Sequence, residues 1–424
     1  MSKRVVITGL GVVAPNGVGL PEFTHSIKNG VSGIRYDAQL QELQFSCQIA
    51  GQPQISDELK SECFTELELR GFSSTGILYG VIAGIEAWKN AGLSIENNDD
   101  PDWDSGTIFG SGTSGIDKFR ECIYKIDELQ VRRLGSTVVA QTMNSGVSAY
   151  LGGKLGLGNQ VTTNSSACTT GTEAILMAYD RIQSGQAKRI LAGSTGDSGP
   201  YIWGGFDALR VCSSKYNDNP ENGSRPMSAS AAGFVPGSGA GALVIEDLET
   251  ALERGATIYA EILGGNVNSG GQRANGSMTA PNSIAVQRCI TSAINNSGIS
   301  ANDIDAINGH LTATTKDSLE IENWTKALGR SGTDFPYINS LKSMTGHCLS
   351  AAGSVESIAA VLQLHEGFIF GNTNCEDLHP EITELIDPSK VPLKTININP
   401  SIIAKASFGF GDVNACIIFK KFQK

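Results

Sequence analysis

The sequence predicts an α/β protein made of two similar halves. Short β-branched runs alternate with segments of helical period, several strand ends fall in glycine-rich turns, and one strand–turn–helix plan occurs once in each half of the chain. At 424 residues the chain is too long for one simple core and suits two domains or one large duplicated unit. No Pro/Ser-rich linker divides it, so the halves, 1–255 and 256–424, are expected to pack as one body.

The first half opens on the strand Arg4–Gly9. Lys3-Arg4 ahead of the apolar run Val5–Ala14 has the outline of a short secretion signal, but Gly9, Gly11 and the turn Pro15-Asn16-Gly17 fit a buried first strand instead. A helix is expected over Thr75–Ala91, stopping at Gly92, then a strand over Thr107–Gly112. A short strand, Val161–Asn164, runs at once into Cys168 and a helix over Thr172–Ile182, and Ala240–Glu246 is the next strand. The second half repeats the plan. Ile258–Leu263 is a strand, Ile284–Ile294 a helix, Ile304–Asn308 a strand ending at His310, Tyr337–Ser340 a strand, Ala351–Leu364 a helix and Asn414–Lys420 the last strand. Within this repeat, Cys168, Gly171 and a helix holding Glu173 correspond to His347, Gly353 and a helix holding Glu356.

Composition removes several classes of function. A formal net charge of −11 offers no basic footprint for nucleic acid. No apolar run approaches the ~18 residues of a membrane span. Nine scattered cysteines, an odd number with no C-x-x-C pair, fit neither a secreted disulfide framework nor a zinc site, and point to a reducing cytoplasm with no metal or cofactor implied. The 50 glycines follow no period and mark tight turns and close backbone approaches.

The sharpest local signal is Ser165-Ser166-Ala167-Cys168-Thr169-Thr170-Gly171-Thr172. A thiol at the first turn of a helix meets the positive end of the macrodipole and unpaired N–H groups, which lower its pKa and favour the thiolate. The plain alternative is a buried structural cysteine. His310 follows a strand, with Thr312, Thr314 and Thr315 behind it. His347 ends Lys342-Ser343-Met344-Thr345-Gly346-His347, ahead of the small-residue helix start Ser350-Ala351-Ala352-Gly353. Taken singly, a histidine at a strand end is more often structural. Taken together, one thiolate and two imidazoles suffice for acyl transfer followed by stabilisation of an enolate.

These segments resemble the elongating β-ketoacyl-[acyl-carrier-protein] synthases along essentially the whole chain. The landmarks are Val5-Val6-Ile7-Thr8-Gly9-Leu10-Gly11, Ala167-Cys168, Gly233-Phe234-Val235, His310 with Asp317, Lys342 to His347, Ala352-Gly353-Ser354-Val355-Glu356, and Ser407-Phe408-Gly409-Phe410-Gly411. The resemblance implies a thiolase-like layered αβαβα fold and decarboxylative Claisen condensation in fatty-acid, polyene or polyketide-type biosynthesis. It implies that Cys168 takes an acyl chain from acyl carrier protein, with the N–H groups of Cys168 and Phe410 as oxyanion hole. His310 and His347 would hold the malonyl thioester oxygen, Lys342 would orient His310, and Glu356 would support them. Phe410 would act as a gate, with Phe234, Gly409 and Gly411 lining the pocket. A homodimer is implied, or a heterodimer with a ketosynthase-like paralogue, held through the 107–165 region. A non-catalytic partner subunit of the chain-length-factor type lacks the nucleophile that this chain keeps. A thiolase or acyltransferase on the same fold would place a second catalytic-type cysteine near the C-terminus.

The chain also departs from that pattern. His310-Leu311-Thr312 replaces His-Gly-Thr, Ala231-Ala232 replaces an Arg-Asp pair, Gly237-Ser238-Gly239 replaces a charged Gly-Glu-Gly, and Asp412 stands where a second glycine is usual. Leu311 and Asp412 each add a side chain that should narrow the loop conformations open during acyl loading. For an acidic carrier protein, Lys118, Arg120, Lys125, Arg132 and Arg133 offer a basic surface, or a plain solvated face.

Overall fold

The computed structural model describes residues 3–95 and 99–423. Its centre is a continuous mixed sheet. Across it the ten main strands run Tyr337–Asn339, Ala306–Asn308, Ile402–Gly409, Val413–Lys420, Ala260–Ser269, Val5–Ala14, Gly239–Asp247, Arg189–Gly196, Ser105–Ser111 and Val161–Thr162. The midpoint is a short antiparallel contact in which Val5, Val6 and Ile7 face Ile262, Glu261 and Ala260. Outward from it, each wing takes the first, fifth, fourth, second and third strand of its half. The pairings match as well: two antiparallel, then two parallel, on both sides. The duplicated plan is therefore a topological identity.

Helices Thr170–Gln183 and Ala352–Glu366 form the middle layer, each touching strands of both wings, while Thr75–Asn90 covers one wing from outside and Ser283–Asn296 the other. The sequences fit these places. Ser283–Asn296 buries one stripe, Ala285, Val286, Cys289, Ile290, Ala293 and Ile294, as a surface helix does. In contrast, every residue from Ala352 through Leu364 is buried, so only small and apolar side chains pack there, apart from a few polar groups that find partners. The result is the αβαβα layering that the resemblance implied.

The two-fold likeness extends to single residues. Ala167 and Leu349 both have φ 51°, a left-handed conformation that costs a non-glycine residue ~1 kcal/mol or more. Each starts one 3-10 turn that feeds a central helix. One turn on, Gly171 and Gly353 press together: a Cβ on Gly171 would come within 2.3 Å of Ser354 N, and one on Gly353 within 2.5 Å of Thr172 N. Beside them Thr172 Oγ1 meets Ser407 Oγ at 2.9 Å, and its counterpart Ser354 Oγ meets Ser194 Oγ at 2.7 Å. This register corrects part of the sequence-based repeat. Gly171 does match Gly353, but Cys168 falls on Ser350 and Glu173 on Val355, so Glu356 has no acidic counterpart.

Two strands, Arg189–Gly196 and Ile402–Gly409, were not anticipated. Both end in glycine, and the second carries Lys405 and Ser407 in mid-strand, which hides its period. No helix among the described residues is long and apolar enough to cross a membrane.

Candidate active site

The left-handed turn at Ala167 ends a short connection from Val161–Thr162 and places Cys168 at the mouth of the helix Thr170–Gln183. Thr169 and Thr170 close the turn by donating their hydroxyls to Ser166 O and Ala167 O, at 2.7 and 2.6 Å. Gly409 keeps the opposite side clear, since a Cβ there would lie 3.1 Å from Cys168 N. The backbone N–H of Phe410 favours the ionised form of the Cys168 sulfur.

His310 and His347 arrive from the other half. Their rings meet edge to face with centroids 5.3 Å apart, and one donor atom from each, with the Cys168 sulfur, form a cluster within 4.8 Å. A metal could span that spacing, but two buried ammonium groups beside it disfavour a further cation. Both ring tautomers can be read from the bonding. The Leu349 N–H donates to His347 Nδ1 at 3.3 Å, and Lys342 Nζ lies 3.5 Å from His310 Nδ1. N–H groups only donate, so each Nδ1 accepts and each proton belongs on Nε2. Burial, then Lys342, holds both imidazoles well below the ordinary histidine range, so both are neutral donors at pH 7.

Behind the histidines is a buried polar layer. Lys342 donates to His310 O at 2.6 Å and to Glu356 Oε1. Glu320 accepts from the His310 and Leu311 N–H groups at 2.7 and 2.8 Å, and burial pushes its acid up to about 7. Asp317 accepts from Thr312, Ala313 and Met227 N–H. Glu356 also meets a second buried cation, Lys405, whose Nζ is 2.8 Å from Oε2. Neither Glu320 nor Lys405 was singled out in the sequence.

The thiol differs from the sequence-based expectation. Burial pushes Cys168 up to about 11, against the lowering influence of Lys342, the Phe410 N–H and Lys405. A helix start alone does not offset removal from water, so the resting site holds a thiol.

Cys168, His310, His347, Phe234, Gly409 and Phe410 line one cavity of about 310 Å³. Phe206, another residue the sequence did not flag, stands between Phe410 and Phe234, its centroid 5.8 Å from the first and 5.6 Å from the second. A second cleft, of about 790 Å³, lies elsewhere, near Val18, Glu86 and His365; Cys63 and His365 both line it, but among the described residues only Cys168, His310 and His347 bring a thiol and two imidazoles within 4.8 Å.

Asp412 is buried at φ 62°. Its carboxylate accepts from the Gln272 and Asn282 N–H groups at 2.9 and 2.8 Å, its carbonyl accepts from Gly270 N–H at 2.9 Å, and Gly411 N–H donates to Met278 O at 2.8 Å. It thereby fastens the turn holding Phe410 to the segment whose Thr279, Ala280 and Pro281 line the cavity. Leu311 takes no part in the cavity; it is fully buried in the core of the C-terminal wing. Of the expected basic surface, Lys118 is 4% exposed and bonded to Gly71 O and Glu121, and Lys125 also pairs with Glu121. Only Arg120, Arg132 and Arg133 remain outward-facing there.

The model of the β-ketoacyl synthase N-terminal domain matches residues 2–251, and that of the C-terminal domain matches residues 259–376. The chain belongs to the β-ketoacyl synthase family. It is 33% identical over 429 residues to 3-oxoacyl-[acyl-carrier-protein] synthase 1 of Escherichia coli (strain K12), covering 99% of this chain and all of that one. It is 32% identical to the chloroplastic 3-oxoacyl-[acyl-carrier-protein] synthase I of Arabidopsis thaliana, over 99% of this chain and 87% of that protein. Among solved structures, a β-ketoacyl synthase from Burkholderia phymatum STM815 superposes with TM-score 0.89 at 28% identity, over 99% of this chain and 100% of that one. A type II polyketide ketosynthase, solved with its acyl carrier protein and bound to a hexaketide, superposes with TM-score 0.87 at 28% identity over the full length of both chains. The β-ketoacyl synthase fold and its condensing chemistry thus belong to this chain.

Proposed function

We propose that this β-ketoacyl synthase uses Cys168 as nucleophile and His310 and His347 as enolate-stabilising donors, taking both substrates from acyl carrier protein. The observation that carries the assignment is the convergence of one thiol and two neutral imidazoles in one cavity, at the junction of the halves 1–255 and 256–424. In the first half-reaction the Cys168 sulfur forms a bond to the acyl carbonyl, the carrier's C–S bond breaks, and the carrier leaves as its thiol with the proton from Cys168. The N–H groups of Cys168 and Phe410 receive the transient oxyanion. In the second, the malonyl carboxylate departs as carbon dioxide and its bonding pair becomes the enolate, held by the two Nε2–H groups. The enolate carbon attacks the acyl thioester and Cys168 leaves as thiolate, taking up one proton. Lys342 fixes His310, Glu356 fixes Lys342, Phe410 is the gate, and Phe234 and Gly409 shape the pocket; Gly411, expected there too, stands outside the cavity lining and bonds Met278 O. Supplied with acyl- and malonyl-carrier protein, the parent enzyme should release carbon dioxide and a β-ketoacyl product two carbons longer. Failure to form it with any of a panel of acyl lengths would remove the proposal.

The working unit we infer is a dimer of this chain, or a heterodimer with a ketosynthase-like paralogue. The edge strand Val161–Thr162 has a neighbour on one side only, and Phe119, Ile123, Ile126, Leu129, Val131 and Val139 expose apolar surface in the same 107–165 region. Light scattering of the purified chain with its partner should give about twice the 44.6 kDa protomer mass. A stable monomer at micromolar concentration, with or without paralogue, counts against both versions.

A further inference from the structure

Lys405 is one of the largest side chains with no exposed surface. It stands in the middle of the strand Ile402–Gly409, paired with Asn308 on one side and Ile417 on the other. Strand alternation puts Ile403, Lys405 and Ser407 on one face. Ile403 belongs to the core around the central helices, so Lys405 points toward them. There its Nζ meets Glu356 Oε2 at 2.8 Å, donates to Ala406 O at 2.6 Å, and donates to Ser407 Oγ. Ser407 in turn bonds Thr172, one turn beyond Cys168 on the nucleophile helix. Lys405 is thus connected to the nucleophile on one side and to the Glu356–Lys342–His310 chain on the other.

A buried ammonium is costly unless charge compensates it. Here one carboxylate serves two: Glu356 gives Oε1 to Lys342 and Oε2 to Lys405. With Lys342 alone, this contact cluster would be neutral. With Lys405 it carries one surplus positive charge. The other charged and titratable groups acting on or around Lys405 are Glu320, His310, His347, Cys168 and Cys416. Burial draws Lys405 below the ordinary lysine range and Glu356 opposes that. Glu320, whose acid lies at about 7, adds a carboxylate charge above that pH and is met there by two backbone N–H groups, while the histidines and thiols are neutral at rest.

The chemistry carries one negative charge from place to place. It enters as the malonyl carboxylate, becomes the enolate when carbon dioxide leaves, and ends as the Cys168 thiolate. We propose that Lys405 is a positioning residue that gives the Lys342–Glu356–Lys405 cluster a standing charge of +1, shared through Glu356, to match the single anion the reaction relays. The inference rests on the reading of Cys168 as nucleophile, and it assigns Lys405 no contact with substrate.

The test varies the charge count and reads the thiolate directly. Iodoacetamide alkylation, located at Cys168 by peptide mass, is followed against pH in the intact enzyme. It needs no carrier protein, so its outcome is separable from that of the condensation assay. The parent count is +1, Lys405→Met gives 0, Glu356→Gln gives +2, and the double variant returns to +1. Lys405→Met should move the alkylation profile up by about one pH unit or more. Glu356→Gln should move it down, and the double variant should move back toward the parent. A Lys405→Met profile that overlays the parent's, or a double variant no closer to the parent than Lys405→Met, overturns the proposal. If Lys405→Met does not fold, Glu356→Gln and the double variant decide it: equal profiles for those two overturn the charge count.

Discussion

Cys168→Ala takes up no acyl group, whereas the parent gains one acyl mass on the peptide containing Cys168. The full effect is expected because the competing thiols face different fields. Cys348 is as deeply buried and close by, yet it is pushed up to about 12, with Glu356 the leading charge raising it. For Cys168 the leading charge is Lys342, which lowers it, and the Phe410 N–H adds to that. Cys47, Cys289 and Cys375 are likewise pushed up to about 12, chiefly by burial. Cys168 is also the one cysteine among the residues lining the cavity that holds both histidines, so condensation should fall to background. Decarboxylation of malonyl-carrier protein should persist in Cys168→Ala, because the histidine pair and its buried supports do not depend on the sulfur. Acyl labelling of the variant equal to that of the parent would dismiss Cys168 as nucleophile.

Much of this arrangement was legible in the chain because its signals are local. A strand, a polar turn and a glycine-marked helix start identify the surroundings of Cys168, and the Lys342-to-His347 run does the same for the other half. The folded sheet kept those junctions, shifted the ends of expected strands and added Arg189–Gly196 and Ile402–Gly409: Val5–Ala14 outruns the expected Arg4–Gly9, and Val161–Thr162 falls short of Asn164. What stayed hidden depends on partners distant in sequence. Lys405 reads as an ordinary surface lysine until Glu356, 49 residues upstream, is known to face it. Glu320 reads as a helix residue until the backbone of His310 is folded onto it. The helix-start argument for a low thiol pKa failed for a related reason: it counted the dipole and omitted the desolvation that accompanies burial in a five-layer core. Asp412 was noticed as an unusual side chain, but its role as a tie needed Gly270 and Gly276, where a Cβ would lie 2.2 and 2.4 Å from its carboxylate.

His310→Ala and His347→Ala, made separately, should each lower malonyl decarboxylation and condensation by ~10²–10³, the usual cost of one lost oxyanion donor. Acylation of Cys168 should survive in part, since the oxyanion hole proposed for that step is backbone. The pair is expected to act as two neutral donors, and the pH dependence follows from that. Burial first, then the positive charge of Lys342, depresses both imidazoles well below 6.5. A depressed histidine stays neutral as pH falls through 6.5 and gains its proton only further down. Decarboxylation by Cys168→Ala, which isolates this step from the thiol, should therefore show no break near 6.5 and should fall only at lower pH. A lone imidazolium acting as a proton donor would give the opposite profile, with activity rising as pH drops through 6.5. The structural supports also rank the two histidines. His310 is held from both sides, by Lys342 at its ring and carbonyl and by Glu320 at its N–H, so removal of its ring leaves the buried lysine without the ring's acceptor. His347 is held by Leu349 N–H and packs edge-on against Phe234, with centroids 5.4 Å apart. Ala at position 310 should consequently cost stability as well as rate, visible as a lower melting temperature, while Ala at 347 should act mainly on rate. Near-parent condensation by both single variants would remove the histidines from the chemistry.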